Sequence, residues 1–206
     1  MSPPSETSSA RPACGEYTSE EREILLRLAH TAIESVLQRH KLDVTPPSAH
    51  LAELRGAFTT LHLYGKLRGC IGYVIAKHAL YRTVAETAQA AAFDDPRFAP
   101  VTAAEAPLLH IEISVLSPLL PIRPDDVEVG KHGLLVSKGN YRGLLLPQVP
   151  LEWGWDRETF LDQTCLKAGL PFDAWRQDAD LQAFTAEIFG EGGRESPLHP
   201  ATVKRP

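Results

Sequence analysis

Apolar residues recur at helical spacing from Ile24 to Leu37, with Ile24, Leu25, Leu28, Ala32, Ile33, Val36 and Leu37 on one buried face. Thr18, with Glu21 three residues later, forms a capping box that starts this helix by satisfying two otherwise orphaned amides. Arg39, His40 and Lys41 suit the negative end of its dipole, and the stretch 43–50, with Pro46-Pro47, is a loop. Residues 57–63 and 67–74 then read as strands joined by a turn at Gly65-Lys66, a β-hairpin. Helical spacing returns over 78–93. The apolar face there is largely alanine from Ala85 to Ala92, so it can approach a sheet or another helix closely. Asp94-Asp95-Pro96-Arg97-Phe98 breaks the helix. Thr102 and Glu105 repeat the capping-box pattern over a short turn.

Residues 109–116 alternate. Leu109, Ile111, Ile113 and Val115 face one side and His110, Glu112 and Ser114 the other, which predicts a half-buried strand. Residues 133–137 and 142–146 flank the turn Lys138-Gly139-Asn140-Tyr141, and their apolar runs predict strands covered on both faces, the second ended by Pro147. Asp156 caps a helix running to Lys167, stopped by Gly169 and Pro171. Residues 181–189 read as a last strand, with a helix as the alternative. Helices mixed with hairpins predict an α+β fold, a mainly antiparallel sheet with flanking helices. Residues 1–16 read as a flexible leader, 17–190 as one domain and 191–206 as a flexible tail.

The composition is that of a globular protein with a sizeable core: 206 residues, 43% hydrophobic and 23% charged. A net charge of −5 and the absence of a Lys/Arg run make nucleic acid an unexpected partner, because phosphate neutralisation supplies most of that affinity. No apolar run approaches the ~18–20 residues of a membrane span. The N-terminus lacks the basic start and apolar core of a secretory signal. Cys14, Cys70 and Cys165 match no disulfide framework and no Cys-x-x-Cys clip, so a reducing cytoplasm is the expected compartment. Neither a metal-ligand signature nor a phosphate loop occurs, and no metal or cofactor is expected.

Candidate chemistry concentrates in Leu67-Arg68-Gly69-Cys70-Ile71-Gly72. Residues two apart share a strand face, so Arg68 is expected beside Cys70, where its charge would favour the thiolate. The competing reading is equally simple: cysteine is a common small packing residue, and glycines permit close approach. A thiol nucleophile needs a base, for which His62, His110 and His132 are candidates. Asp95 and Arg97 read as a surface ion pair. Gln148 and Gln163 are neutral groups able to read a ligand amide or hydroxyl.

The 67–72 run resembles the signature of the AMMECR-domain family, called in prokaryotes AmmeMemoRadiSam system protein A. Further segments resemble the family in its order: Ala92-Phe93-Asp94-Asp95-Pro96-Arg97-Phe98-Ala99-Pro100, Glu112-Ile113-Ser114-Val115-Leu116-Ser117, His132-Gly133-Leu134, Leu145-Leu146-Pro147-Gln148-Val149, and Cys165-Leu166-Lys167-Ala168-Gly169-Leu170-Pro171 with Trp175. The resemblance covers 17–189. It implies two unequal lobes with a cleft between them, a cytoplasmic location, and association with a Memo-type protein and a radical-SAM enzyme. It hands over no reaction. The family's signature positions map to Arg68, Gly69, Cys70 and Gly72, and later segments to Arg97 and Gln148. Two functions follow as expectations. In one, a small substrate binds in the cleft, Cys70 acts as nucleophile or acid/base, Arg68 holds an anion or the thiolate, and His110 or His132 moves a proton, with Gly69, Gly72, Arg97 and Gln148 lining the site. In the other, the chain is a non-catalytic adaptor that holds a small molecule or peptide, with Cys70 as packing and Arg68 as an anchor.

Overall fold

Thr18 and Glu21 close the capping box that the sequence predicts. Thr18 Oγ1 accepts from the Glu21 N–H at 3.2 Å, and Glu21 Oε2 accepts from the Thr18 N–H at 3.0 Å. The helix they start, α1 (Ser19–Leu37), is the first element of a computed structural model that describes residues 15–191. Most of the expected leader and tail lies outside those residues. The chain continues as β1 (Ala57–Leu63), β2 (Lys66–Tyr73), α2 (Leu80–Phe93), β3 (Leu109–Leu116), β4 (Leu120–Pro121), β5 (Gly133–Lys138), β6 (Tyr141–Leu145), α3 (Gln148–Trp153), α4 (Arg157–Lys167), β7 (Asp180–Phe184) and β8 (Ala186–Gly190). Among the described residues the strands form two four-stranded antiparallel sheets, β2-β1-β3-β8 and β4-β7-β5-β6. The fold is α+β, as the sequence predicts.

One face of the first sheet carries the larger core. Ala57, Thr59 and Leu61 of β1 are buried against α2, and Ile111, Ile113 and Val115 of β3 are buried in the same core on the side of α1, which packs on α2. Each large side chain fully buried here, such as Leu61, Ile111 or Leu80, contributes about 1.5–3 kcal/mol of transfer free energy. The alanine face of α2 works as expected: Ala85, Ala88, Ala91 and Ala92 are buried, and the helix backbone comes down onto β2. A Cβ built on Gly69 would stand 2.1 Å from the Ala91 carbonyl oxygen, so glycine is required there by the close approach. Inside this layer two buried hydroxyls satisfy each other, with Thr59 Oγ1 and Thr87 Oγ1 2.8 Å apart.

The second sheet packs its inner residues, Leu134, Val136, Leu145 and Leu181, against Phe160, Leu161 and Cys165 of α4. Asp156 caps that helix, its Oδ1 accepting from the Thr159 N–H at 2.8 Å. The stretch 181–189 is not one strand but two. It belongs to the second sheet up to Phe184 and to the first from Ala186, and Thr185 is the crossing residue. Ser117, which leaves β3, pins it: Ser117 Oγ accepts from the Thr185 N–H, and the Ser117 N–H donates to the Thr185 carbonyl, both at 2.9 Å. Leu116, Leu146 and Phe184 are buried together at this crossing. Two further elements escape a reading by period. β4 is only two residues long, and α3 begins directly after Pro147, the residue that the sequence reads as the end of a strand.

Among the described residues no helix is long and apolar enough to cross a membrane. Replacing Gly69 by alanine is expected to lower the unfolding free energy by about 2–3 kcal/mol, because its Cβ meets main chain that cannot rotate away. Urea denaturation checks this; an unchanged midpoint would show that β2 and α2 separate freely.

Candidate functional site

β2 is the edge strand of its sheet, so one side of its backbone lacks a neighbouring strand. At Cys70 the loop after α2 supplies the missing partners. Asp95 Oδ2 accepts from the Cys70 N–H at 2.9 Å, and Arg97 Nη2 donates to the Cys70 carbonyl at 3.2 Å. Asp95 and Arg97 are themselves joined by a two-bond fork, Nε to Oδ1 at 2.9 Å and Nη2 to Oδ2 at 2.7 Å. This pair is not the surface pair expected, since Asp95 is 4% exposed. Its hydrogen bonds from Arg97, together with the Cys70 and Arg97 N–H groups, hold its carboxyl down at about 2 against the cost of burial.

Arg68 does not sit beside the thiol. The register between β1 and β2 slips between Leu61 and His62: Leu61 opposes Gly69 and His62 opposes Leu67, which leaves Arg68 as the extra residue of a bulge. The rule that residues two apart share a face fails at that point. Arg68 instead binds Glu105 through Nε at 3.1 Å and Nη2 at 3.2 Å, and donates to the Ala99 carbonyl at 2.8 Å. Arg68, followed by the Thr102 N–H, holds the Glu105 carboxyl at about 2. Thr102 and Glu105 form the second capping box as expected.

The Cys70 side chain points to the face of the first sheet away from α2, into a pocket. Three cross-strand rows line it. The first is Cys70, Thr60 and Glu112; the second is Phe58, Ser114 and Ile188; the third is Leu116 and Ala186. Leu146, Pro147 and Gln148, where β6 hands over to α3, close it from the second sheet's side. The rows run from polar to apolar. Free space amounts to about 30 Å³, enough for a water or two. Gly72 does not line the pocket but makes room for Phe58, which does: a Cβ there would lie 2.2 Å from the Phe58 ring.

Within the pocket Thr60 Oγ1 donates to Cys70 Sγ at 3.3 Å. Burial pushes the Cys70 thiol above its ordinary range; the Thr60 hydrogen bond and the Arg97 charge pull the other way, and Asp95 and Glu112 push it further up. The thiol is therefore neutral at physiological pH. The side chains of Glu112, Ser114 and Gln148 have no hydrogen bond or ion pair among the described residues, although each lines the pocket and is half-buried.

Of the residues singled out from the sequence, the pocket gathers Cys70 and Gln148, with Gly72 beneath Phe58. Arg97 braces the Cys70 backbone from outside, and Gly69 lies on the opposite face against α2. The two histidines expected to move a proton stand apart. His110 is exposed, one pleat beyond Glu112 and opposite His62. His132 Nδ1 accepts from the Glu128 N–H at 3.1 Å, before β5. No histidine lines the pocket among the described residues. Thr60, Glu112, Ser114 and Phe58 were not singled out as site residues, though the alternation of 109–116 already set Glu112 and Ser114 on the polar face of β3. Elsewhere, Glu16, His50 and Glu53 bring ligand atoms within 4.8 Å of one another, but Arg55 Nη2 already pairs with both carboxylates.

An α+β fold with this edge-strand clamp and pocket can be set against known proteins. The AMMECR1 family model matches residues 26–189, and the chain belongs to that family. It is 46% identical over 191 residues to protein TK0174 of Thermococcus kodakarensis, covering 85% of this chain and 93% of that one. To protein MJ0810 of Methanocaldococcus jannaschii it is 41% identical over 184 residues, covering 84% and 92%. The crystal structure of the uncharacterised protein PH0010 from Pyrococcus horikoshii superposes with a TM-score of 0.67 at 46% identity, covering 85% of this chain and 93% of that one.

Asp95 titrates below its unfolded value near 3.9, so its stabilisation is complete above about pH 5 and disappears as the pH falls toward 2. Across that window the wild-type protein is expected to lose about 2 kcal/mol more than Asp95→Asn, a difference that excludes the parallel titration of Glu105. Urea unfolding at stepped pH measures it, and parallel pH curves would dissociate Asp95 from stability. Alkylation of Cys70 by iodoacetamide, followed on its peptide by mass spectrometry, should be slow at neutral pH and rise only in the alkaline range. A rate plateau near pH 7 would reveal a thiolate and reverse this electrostatic account.

Proposed function

We propose that the protein is a ligand-binding protein that holds a small molecule non-covalently in the pocket lined by Cys70, Glu112, Ser114 and Gln148. The observation that carries this reading is the convergence of three polar side chains without partners among the described residues, Glu112, Ser114 and Gln148, on one space that also has an apolar wall. Polar groups half-withdrawn from water gain from a ligand that completes their hydrogen bonds, and a few such groups in an apolar setting are the usual makings of a small-molecule site. This pocket is the counterpart we assign to the cleft that the family resemblance implies. On the same reading the protein works in the cytoplasm, in keeping with its unpaired Cys70 and Cys165, and presents its ligand to a Memo-type protein and a radical-SAM enzyme.

Thiol catalysis at Cys70 is the second reading, favoured by the position of Sγ in the pocket wall. It is the weaker of the two because burial keeps the thiol protonated and, among the described residues, no histidine lines the pocket to take its proton.

Ser114→Leu fills the pocket from β3 without touching the core beneath. A thermal-shift survey of small polar molecules is expected to find ligands that stabilise the wild-type chain, by about 2.7 kcal/mol at a hundredfold excess over Kd. The variant should keep its own melting temperature and lose that response. Ligands that stabilise both proteins equally would place binding elsewhere and remove the proposal.

A further inference from the structure

We infer that the ligand of this pocket carries a primary ammonium group on a short aliphatic chain, with the Glu112 carboxylate as its counter-ion. The inference rests on the reading of the pocket as a binding site and adds the chemistry of its occupant.

Charge is the first argument. Glu112 is the only acidic or basic residue in the pocket lining among the described residues, and its carboxylate has no cationic partner there. The guanidinium groups nearby along the chain are already neutralised, Arg97 by Asp95 and Arg68 by Glu105. An anionic ligand would meet Glu112 with no cationic side chain in the pocket lining, among the described residues, to offset the repulsion. A cation would relieve a half-buried charge that now lacks a partner.

Hydrogen bonding narrows the cation. An ammonium group has three donors and no acceptor. Thr60 gives its hydroxyl proton to Cys70 Sγ, which leaves its oxygen lone pairs able to accept. Ser114 Oγ and the Gln148 amide oxygen are further acceptors on the same pocket. Because the thiol is protonated, it brings no second negative charge.

Shape supplies the chain. The rows pass from Glu112 and Thr60 through Phe58 and Ile188 to Leu116 and Leu146, so methylenes leaving an ammonium at Glu112 run along an apolar wall. Gly190 stands opposite Glu112 across the strands and adds no side chain to crowd it. The enclosed free space is about 30 Å³, so the head group at Glu112 is the part most closely surrounded.

The test is a titration of the ¹⁵N-labelled full-length protein, followed by the backbone amides of Thr60, Glu112 and Ser114, with n-butylammonium, n-butanol and butanoate as probes of one chain length. Butylammonium is expected to shift these amides saturably, at least about tenfold more tightly than butanol, the value of one charge-assisted hydrogen bond. Butanoate should leave them unmoved, and added salt should weaken butylammonium alone. Glu112→Gln, which preserves shape, should cost butylammonium about tenfold and leave butanol unchanged. Butanol or butanoate binding as tightly as butylammonium overturns the ammonium inference and leaves the pocket standing. Silence of these amides toward all three probes overturns the pocket reading and this inference together. Should Glu112→Gln fail to fold, the three-probe comparison on the wild-type chain decides.

Discussion

The Asp95 carboxylate is the point on which this architecture turns. A charge withdrawn from water has to be matched, and Arg97 matches it with two parallel hydrogen bonds from two residues away. The matched pair then does a second thing, for its remaining valences go to the N–H and C=O of Cys70. An edge strand that would otherwise offer free backbone groups is thereby closed at its centre. It is also held in a fixed rotation, with Cys70 facing the pocket and Gly69 facing α2. Arg68 extends the same clamp along the loop by gripping Glu105 and the Ala99 carbonyl.

The pocket exists because the chain changes sheets beside it. Ser117 and Thr185 bind each other where β3 leaves the first sheet and β8 enters it. That crossing brings Leu146 and Gln148, next to the second sheet, over the outer face of the first. The inner face of the same sheet is sealed by α2 and α1. One strand face thus serves stability, and the other is left partly open with polar side chains on it. Gly72 makes room for Phe58 in that wall much as Gly69 makes room for α2.

Most elements were legible because each rests on short-range physics. The capping boxes at Thr18 and Thr102, the alternation of 109–116 and the Asp156 cap all involve residues within four positions of one another, and all form as read. Readings failed where a distant partner decided the outcome. The bulge at Arg68 is set by pairing with β1, and it moves a guanidinium from the thiol to Glu105. The segment 181–189 divides because two different sheets claim its halves. The two residues of β4 have no period to detect and are strand only through β7. His110 and His132 looked serviceable as bases because their proximity to Cys70 was free to be imagined; the registers put both elsewhere.

By itself the sequence determined the α+β class, the positions of the main helices and hairpins, membership of the AMMECR1 family and the presence of a cysteine segment with glycines around it. Those properties follow from local periodicity, capping chemistry and residue identity. The tertiary structure alone decided which guanidinium meets Cys70, that its thiol stays protonated, and that Glu112, Ser114 and Gln148 surround one pocket without partners among the described residues. The reason is physical: electrostatic environment and hydrogen-bond satisfaction depend on groups brought together from distant parts of the chain, and strand register and sheet crossing set those distances.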